Sequence, residues 1–199
     1  MEQKIRQIEI SAEQRKQNES DFERYNSDAD FVDVYLSQTT GGLKARHKRH
    51  KRTKGDTHFG LKPYELEDAF QNTIVEMGGT CILLDEKMKR PNGQTARCLD
   101  ALVNEYLSDI RTVTHSNTNI RNCITDKHKQ LVGFNQDFCA NASTMCLFYY
   151  DDSFYSDENI KLGISGYLTA VGNKREGVVV KKILVVLRNA KKMLEYNIV

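Results

Sequence analysis

The stretch "CLDALVNEYLSDIRTVTHSNTNIRNCITDKHKQ", residues 98–130, decides how this chain is read. It divides into two short strand-like runs, "CLDALV" and "YLSDIRTVT", then a polar loop and the start of a helix from about Asn119 to Val132. Ile120, Ile124 and Leu131 share one side of that helix, and Asn117 or Thr118 can cap it. A two-residue hairpin turn at Asn104 and Glu105 pairs Val103 with Tyr106. Counting outward then sets Asp100 opposite Asp109. Side chains so placed lie about 5 Å apart at Cβ, where like charges repel. A cation between them, or a retained proton, has to reconcile the pair. Strand alternation puts Arg111 on the face of Asp109 and Ile110 on the other. One or two carboxylates, completed by water and a substrate phosphate, are what Mg²⁺ takes, and such an ion can activate water against a phosphate. The plainer reading is a surface salt bridge from Asp100 or Asp109 to Arg111. Asn-Glu is not among the favoured turn pairs, and a one-residue slip would undo the pairing.

Working outward, "PYELEDAFQNTIVEM" begins with the proline favoured in a first helical turn and places Leu66, Phe70, Ile74 and Met77 on one stripe. Gly78 and Gly79 end that helix, and "TCILL" (80–84) reads as a buried strand. Beyond the hairpin come a strand "TMCLFYY", an amphipathic helix "DENIKLGISGYLTAV" and a long strand signal "GVVVKKILVVL". The order α, β, β, β, α, β, α, β predicts an α/β fold, a mixed β-sheet flanked by helices. Residues 1–60 read as a separate appendage to a domain of residues 61–199: polar and weakly helical to about residue 36, with Ser11 as N-cap, then a loop from "SQTTGG" to "GDTHFG".

Charge is unevenly spread. Of 29 Lys and Arg, seven lie with two His and no acid in "KARHKRHKRTK", 44–54, which leaves 22 against 27 acidic residues elsewhere. Lys44, Arg46, Lys48, Arg49, Lys51, Arg52 and Lys54 therefore form either a solvated linker or an arm that grips nucleic-acid phosphates. The five cysteines are scattered, without a CxxC pair, and most sit in apolar runs as expected of buried thiols in a reducing compartment. No apolar run reaches the roughly 18 residues of a membrane span. The beginning, "MEQKIRQIEISAEQRKQ", lacks a signal-peptide core, so a cytoplasmic site of action is expected.

The helix "YELEDAFQNTIVEMGG", followed by "LD", "DIR" and "SNTNIRNCITDKHKQ", resembles the C-terminal nuclease domains of contact-dependent growth inhibition and related polymorphic toxins. The αβββαβ order is similar to the PD-(D/E)XK nuclease core used by some of them; others use a barnase-, EndoU- or colicin-like fold that cuts RNA without metal. The resemblance spans about residues 63–190. It implies a toxin-type nuclease acting on RNA, with tRNA a candidate substrate, and a cognate immunity protein. It assigns Asp100 and Asp109 to the two strand acids, also as Mg²⁺ ligands, Gln130 to the helix glutamine, and Glu67 (or Glu65) to the first-helix glutamate. Arg111 stands where that motif has lysine, so Lys127 or Lys129 substitutes, or activity is weakened or lost; Leu99 stands in place of the usual proline. Arginine clamps a phosphate but is no base near neutral pH.

Two further readings stay open. His115, in the loop after the acidic strand, can take a 2′-hydroxyl proton in a metal-independent RNase, with Arg111 or Arg121 stabilising the phosphorane-like charge. The missing lysine and the basic run also suit a catalytically inactive nucleic-acid-binding accessory of a mobile element. His128, between Lys127 and Lys129, is expected at the surface, and His58 in a loop.

Overall fold

Alternation of apolar residues builds the sheet from its centre. The computed structural model describes residues 5–7, 9–90, 92–173 and 177–198. In chain order the elements are β1 (Ile5–Gln7), α1 (Ala12–Ser27), β2 (Phe31–Leu36), β3 (Leu43–His47), α2 (Pro63–Glu76), β4 (Thr80–Leu83), β5 (Ala101–Val103), β6 (Tyr106–Val113), α3 (Ile120–Phe138), β7 (Thr144–Tyr149), α4 (Asp157–Asn173), β8 (Lys182–Leu187) and β9 (Lys192–Asn197). The strands form one sheet in the order β1-β9-β8-β7-β6-β5-β4-β3-β2. β6, β7 and β8 run parallel, as do β3 and β4, while the remaining neighbours are antiparallel. The protein is thus α/β, with a mixed sheet flanked by helices.

β7 reads "TMCLFY" and is buried along its whole length because helices cover both of its faces. On one face Met145, Leu147 and Tyr149 meet Ile120, Ile124 and Leu131 of α3 and Ile160, Ile164 and Tyr167 of α4. On the other, Cys146 and Phe148 join Phe70 and Ile74 of α2. α2 starts as expected, with Pro63 in its first turn and Glu65 Oε2 accepting the Lys62 N–H at 2.6 Å. It stops at Gly78, whose φ of +84° a side chain would resist. The α3 and α4 helices approach closely at Gly163, where an added Cβ would stand 2.6 Å from Ile120 Cγ2.

The segment from Ser37 to Gly60, expected to be a loop, contains a strand. Leu43 and Ala45 are wholly buried between the outward Lys44 and Arg46, so the basic run opens with a period-2 pattern. β3 lies parallel to β4, with Ala45 beside Ile82. α1, capped by Ser11 as anticipated, rests Phe22 and Tyr25 on the same small core as Leu43, Ala45 and Ile82. Residues before 61 therefore build the sheet rather than append to it. β9 was also unanticipated: "KMLEYN" has a weak strand signal but pairs β8 along its full length.

Candidate active site

The hairpin has the register its sequence suggests. Val103 pairs with Tyr106, Leu102 with Leu107 and Ala101 with Ser108. Asn104 tolerates φ of 52° at the turn and locks it by exchanging hydrogen bonds with Thr80: its Oδ1 accepts at 2.9 Å and its N–H donates at 2.8 Å. Asp100 lies just before β5, where its Oδ2 accepts the Ile110 N–H at 2.7 Å. Asp109 sits inside β6, wholly buried. Lys127, on the inward side of α3, brings Nζ to 2.9 Å from Asp109 Oδ1 and 3.9 Å from Asp100 Oδ2.

Neither carboxylate oxygen of Asp109 has a hydrogen bond of good geometry; the Lys127 contact is an ion pair only. A buried charge in that condition is costly. Burial first, then the close approach and charge of Asp100, push the Asp109 carboxyl well above the ordinary carboxylate range, against the pull of Lys127. β5 pairs β6 only as far as Ser108, whereas β6 runs on beside β7 to Val113. Asp100, Asp109 and Arg111 border the length of β6 that β5 does not cover.

A second charged group stands just beyond the end of β4. His50 is 5 % exposed, with Nδ1 3.0 Å from the Leu84 carbonyl and 3.3 Å from Glu86 Oε2, and Nε2 3.2 Å from Glu67 Oε2. Both ring nitrogens face acceptors, which only the doubly protonated ring satisfies. Burial alone would depress its pKa; the Glu67 hydrogen bond and the charges of Glu86 and Glu67 overcome this and raise it. Glu86 is raised too, by burial first and by the charges of Asp100 and Glu67, against the Lys51 N–H and His50.

The expected residues divide accordingly. Asp100 and Asp109 are brought together, and of the two candidate lysines it is Lys127 that reaches them. Lys129 points away: its side chain is 64 % exposed and 4.0 Å from Asp126, because two residues turn about 200° around a helix. Gln130 is structural, its Nε2 donating to the Cys98 carbonyl at 2.9 Å and so fixing the approach to Asp100. Glu67 is engaged by His50 rather than by the aspartates, and Glu65 caps α2. Arg111 is exposed beside the Cys123 thiol. His115 meets His58 edge-on at 5.8 Å between ring centroids. Arg121 is exposed in the first turn of α3, its stem against Gly166.

Much of the basic run is already committed, unlike a free arm. Arg46 pairs with Asp33, Arg49 with Asp85 and Arg52 with Asp68, while Lys44 binds Asn72. Lys48, Lys51 and Lys54 are exposed and have no carboxylate partner among the described residues. His128 is buried rather than superficial, its Nδ1 2.8 Å from the Tyr167 hydroxyl. Asn119, not Asn117 or Thr118, caps α3. Cysteines 81, 98, 123 and 146 are buried and Cys139 is exposed, all as free thiols. His50 and Glu86 escaped sequence reading because they come from a basic run and a polar loop that join only when β3 pairs β4.

Comparison with protein-family models, curated proteins and solved structures finds no match to this chain. No helix among the described residues is long and apolar enough to cross a membrane. The donor set suits a hard cation: two adjacent carboxylates, one with both oxygens lacking hydrogen bonds. Among the described residues no three His, Cys, Asp or Glu side chains gather to hold a metal, so water and substrate would have to complete its shell.

Proposed function

We propose that this protein is a phosphodiesterase of the nuclease type, acting on RNA with tRNA as a candidate substrate, and that Asp100, Asp109 and Lys127 form its centre. The observation that carries this reading is Asp109: a wholly buried carboxylate without hydrogen bonds, held beside a second carboxylate and a lysine. Such an arrangement is expensive for stability and ordinary where chemistry needs it. Asp100 and Asp109 would hold Mg²⁺, which supplies a more acidic water and offsets phosphate charge when bound. Lys127 pulls Asp109 toward its charged form, against burial and Asp100, and would neutralise negative charge developing on the phosphate. Arg111, on the same strand face, clamps a non-bridging phosphate oxygen.

The test is incubation with total tRNA and with plasmid, with and without Mg²⁺, read on gels. Cleavage is expected with Mg²⁺. EDTA, Asp109→Asn or Lys127→Met should each reduce it by at least ~100-fold, the scale of losing one electrostatic contributor. Lys129→Met should leave it unchanged. Cleavage indifferent to both EDTA and Asp109→Asn would sink the reading.

The His58–His115 contact favours one competing reading. Two imidazoles from distant segments can divide the acid and base roles of a metal-independent RNase. That enzyme would ignore EDTA and lose activity in His115→Ala. Binding without cleavage of any substrate would instead mark an inactive nucleic-acid-binding accessory. The toxin-type reading adds that expression without an immunity protein should arrest growth.

A further inference from the structure

α3 turns Lys127 toward the sheet, and its opposite flank borders a cavity of about 770 Å³. Much of the cavity wall is apolar: Val132 from α3, Ala170 and Val171 from α4, and Val178 and Val179 from the segment that leads into β8. Val132, Ala170, Val178 and Val179 are only partly buried, so folding leaves their methyl groups without full cover. His128 and Tyr167 border the same cavity; they meet at 2.8 Å, and the Tyr167 hydroxyl accepts the Val180 N–H at 3.2 Å. A volume between about 300 and 1,000 Å³, with apolar walls and a few placed polar groups, is the usual form of a small-molecule site.

Arg97 supplies the cavity with charge that the fold does not use. Its neighbours are engaged: Arg90 pairs with Asp137 at 2.9 Å, and Lys129 stands 4.0 Å from Asp126. Arg97 lines the cavity too, and its guanidinium has no carboxylate at ion-pair distance among the described residues. Its Nη1 donates only to the Lys129 carbonyl, at a long 3.3 Å, while Asp137 is met by its backbone N–H. The side chain is nevertheless given a seat. Its stem crosses α3 at Gly133, where an added Cβ would stand 2.3 Å from Arg97 Cδ. Glycine weakens a helix interior, and one that stands there needs a reason; here the missing side chain lets the arginine lie down beside the cavity. We propose that this cavity binds an amphipathic carboxylate, its aliphatic tail against the valines and its head on Arg97. A guanidinium meets a carboxylate with two parallel hydrogen bonds, and the valine walls suit a tail without polar groups. The proposal goes beyond the nuclease reading and does not depend on it.

The experiment titrates the full chain with dansyl-labelled undecanoate, an amphipathic carboxylate whose emission brightens and shifts to the blue on leaving water. Saturable binding is expected, reversed by dodecanoate below its micelle concentration and not by dodecanol or dodecylamine. Arg97→Met should weaken binding about 10-fold or more, the scale of losing a charged hydrogen bond. Gly133→Ala favours the helix itself but drives its Cβ into the arginine stem, so it should weaken binding while circular dichroism shows the helices kept. Ala170→Phe, which fills the cavity, should abolish binding. Leu162→Ser, at an exposed position elsewhere on α4, should leave it unchanged. The absence of saturable binding overturns the proposal. So does displacement by dodecylamine as effective as that by dodecanoate, or an unchanged affinity in folded Arg97→Met or Ala170→Phe. Cleavage of RNA is scored separately, so either result stands without the other.

Discussion

At the scale of the residue, Asp109 is the most telling position. Its folded pKa is raised, by burial first and by Asp100 second, so the folded chain binds this proton more tightly than the unfolded chain. The sign follows: stability from this group is greatest at low pH and declines as pH climbs from the ordinary carboxylate range through the raised value. Asp109→Asn keeps the shape and removes the charge. We expect it to raise the urea midpoint at pH 8, with the unfolding free energy up by about 1–2 kcal/mol on the scale of relieving a buried unsatisfied group, while the proposed cleavage would be lost. A lower midpoint in Asp109→Asn would mean that the Lys127 ion pair outweighs the burial cost, and that the site is a structural tie.

At the scale of the element, His50 joins three pieces that are remote in sequence: the turn after β3, the α2 helix through Glu67, and the chain after β4 through Leu84 and Glu86. Behind Glu86 stands Asp100. Because its folded pKa is raised, His50 gives its full stabilisation below about pH 6.5, the unfolded value. That contribution disappears as pH rises through the folded value. Urea midpoints between pH 6 and pH 9 should fall in the native chain, and His50→Gln should flatten the fall. The same elements show what the sequence made legible. The stripe on α2, the run "TCIL" and the hairpin register were readable because burial there follows a clean period over several residues. The acidic pair was readable with them, since a hairpin register is local arithmetic. Lys127 against Lys129 was not decidable, because that choice depends on which side of α3 meets the sheet. β3 was hidden by its charge: only Leu43 and Ala45 carry its signal, and neighbouring arginines satisfied by Asp33 and Asp85 read as a loop.

At the scale of the whole molecule, β3 is what lets β4 be an interior strand. Deleting residues 1–60 would expose the β4 edge, strip Leu43 and Ala45 from Ile82, and remove His50 from between Glu67 and Glu86. Residues 61–199 alone should therefore give a broad, non-cooperative unfolding transition and associate on gel filtration, as exposed strand edges do. A sharp transition from a monomer would show that the core stands without them. The two margins of the sheet have a shared origin: β1 lines one and β2 the other, with α1 between them in sequence. Ile5 must find Tyr196 across almost the entire polypeptide, a search whose entropy grows with the length of chain enclosed. During synthesis that margin has nothing to join until β9 leaves the ribosome, so this pairing closes last and should be the first to fray.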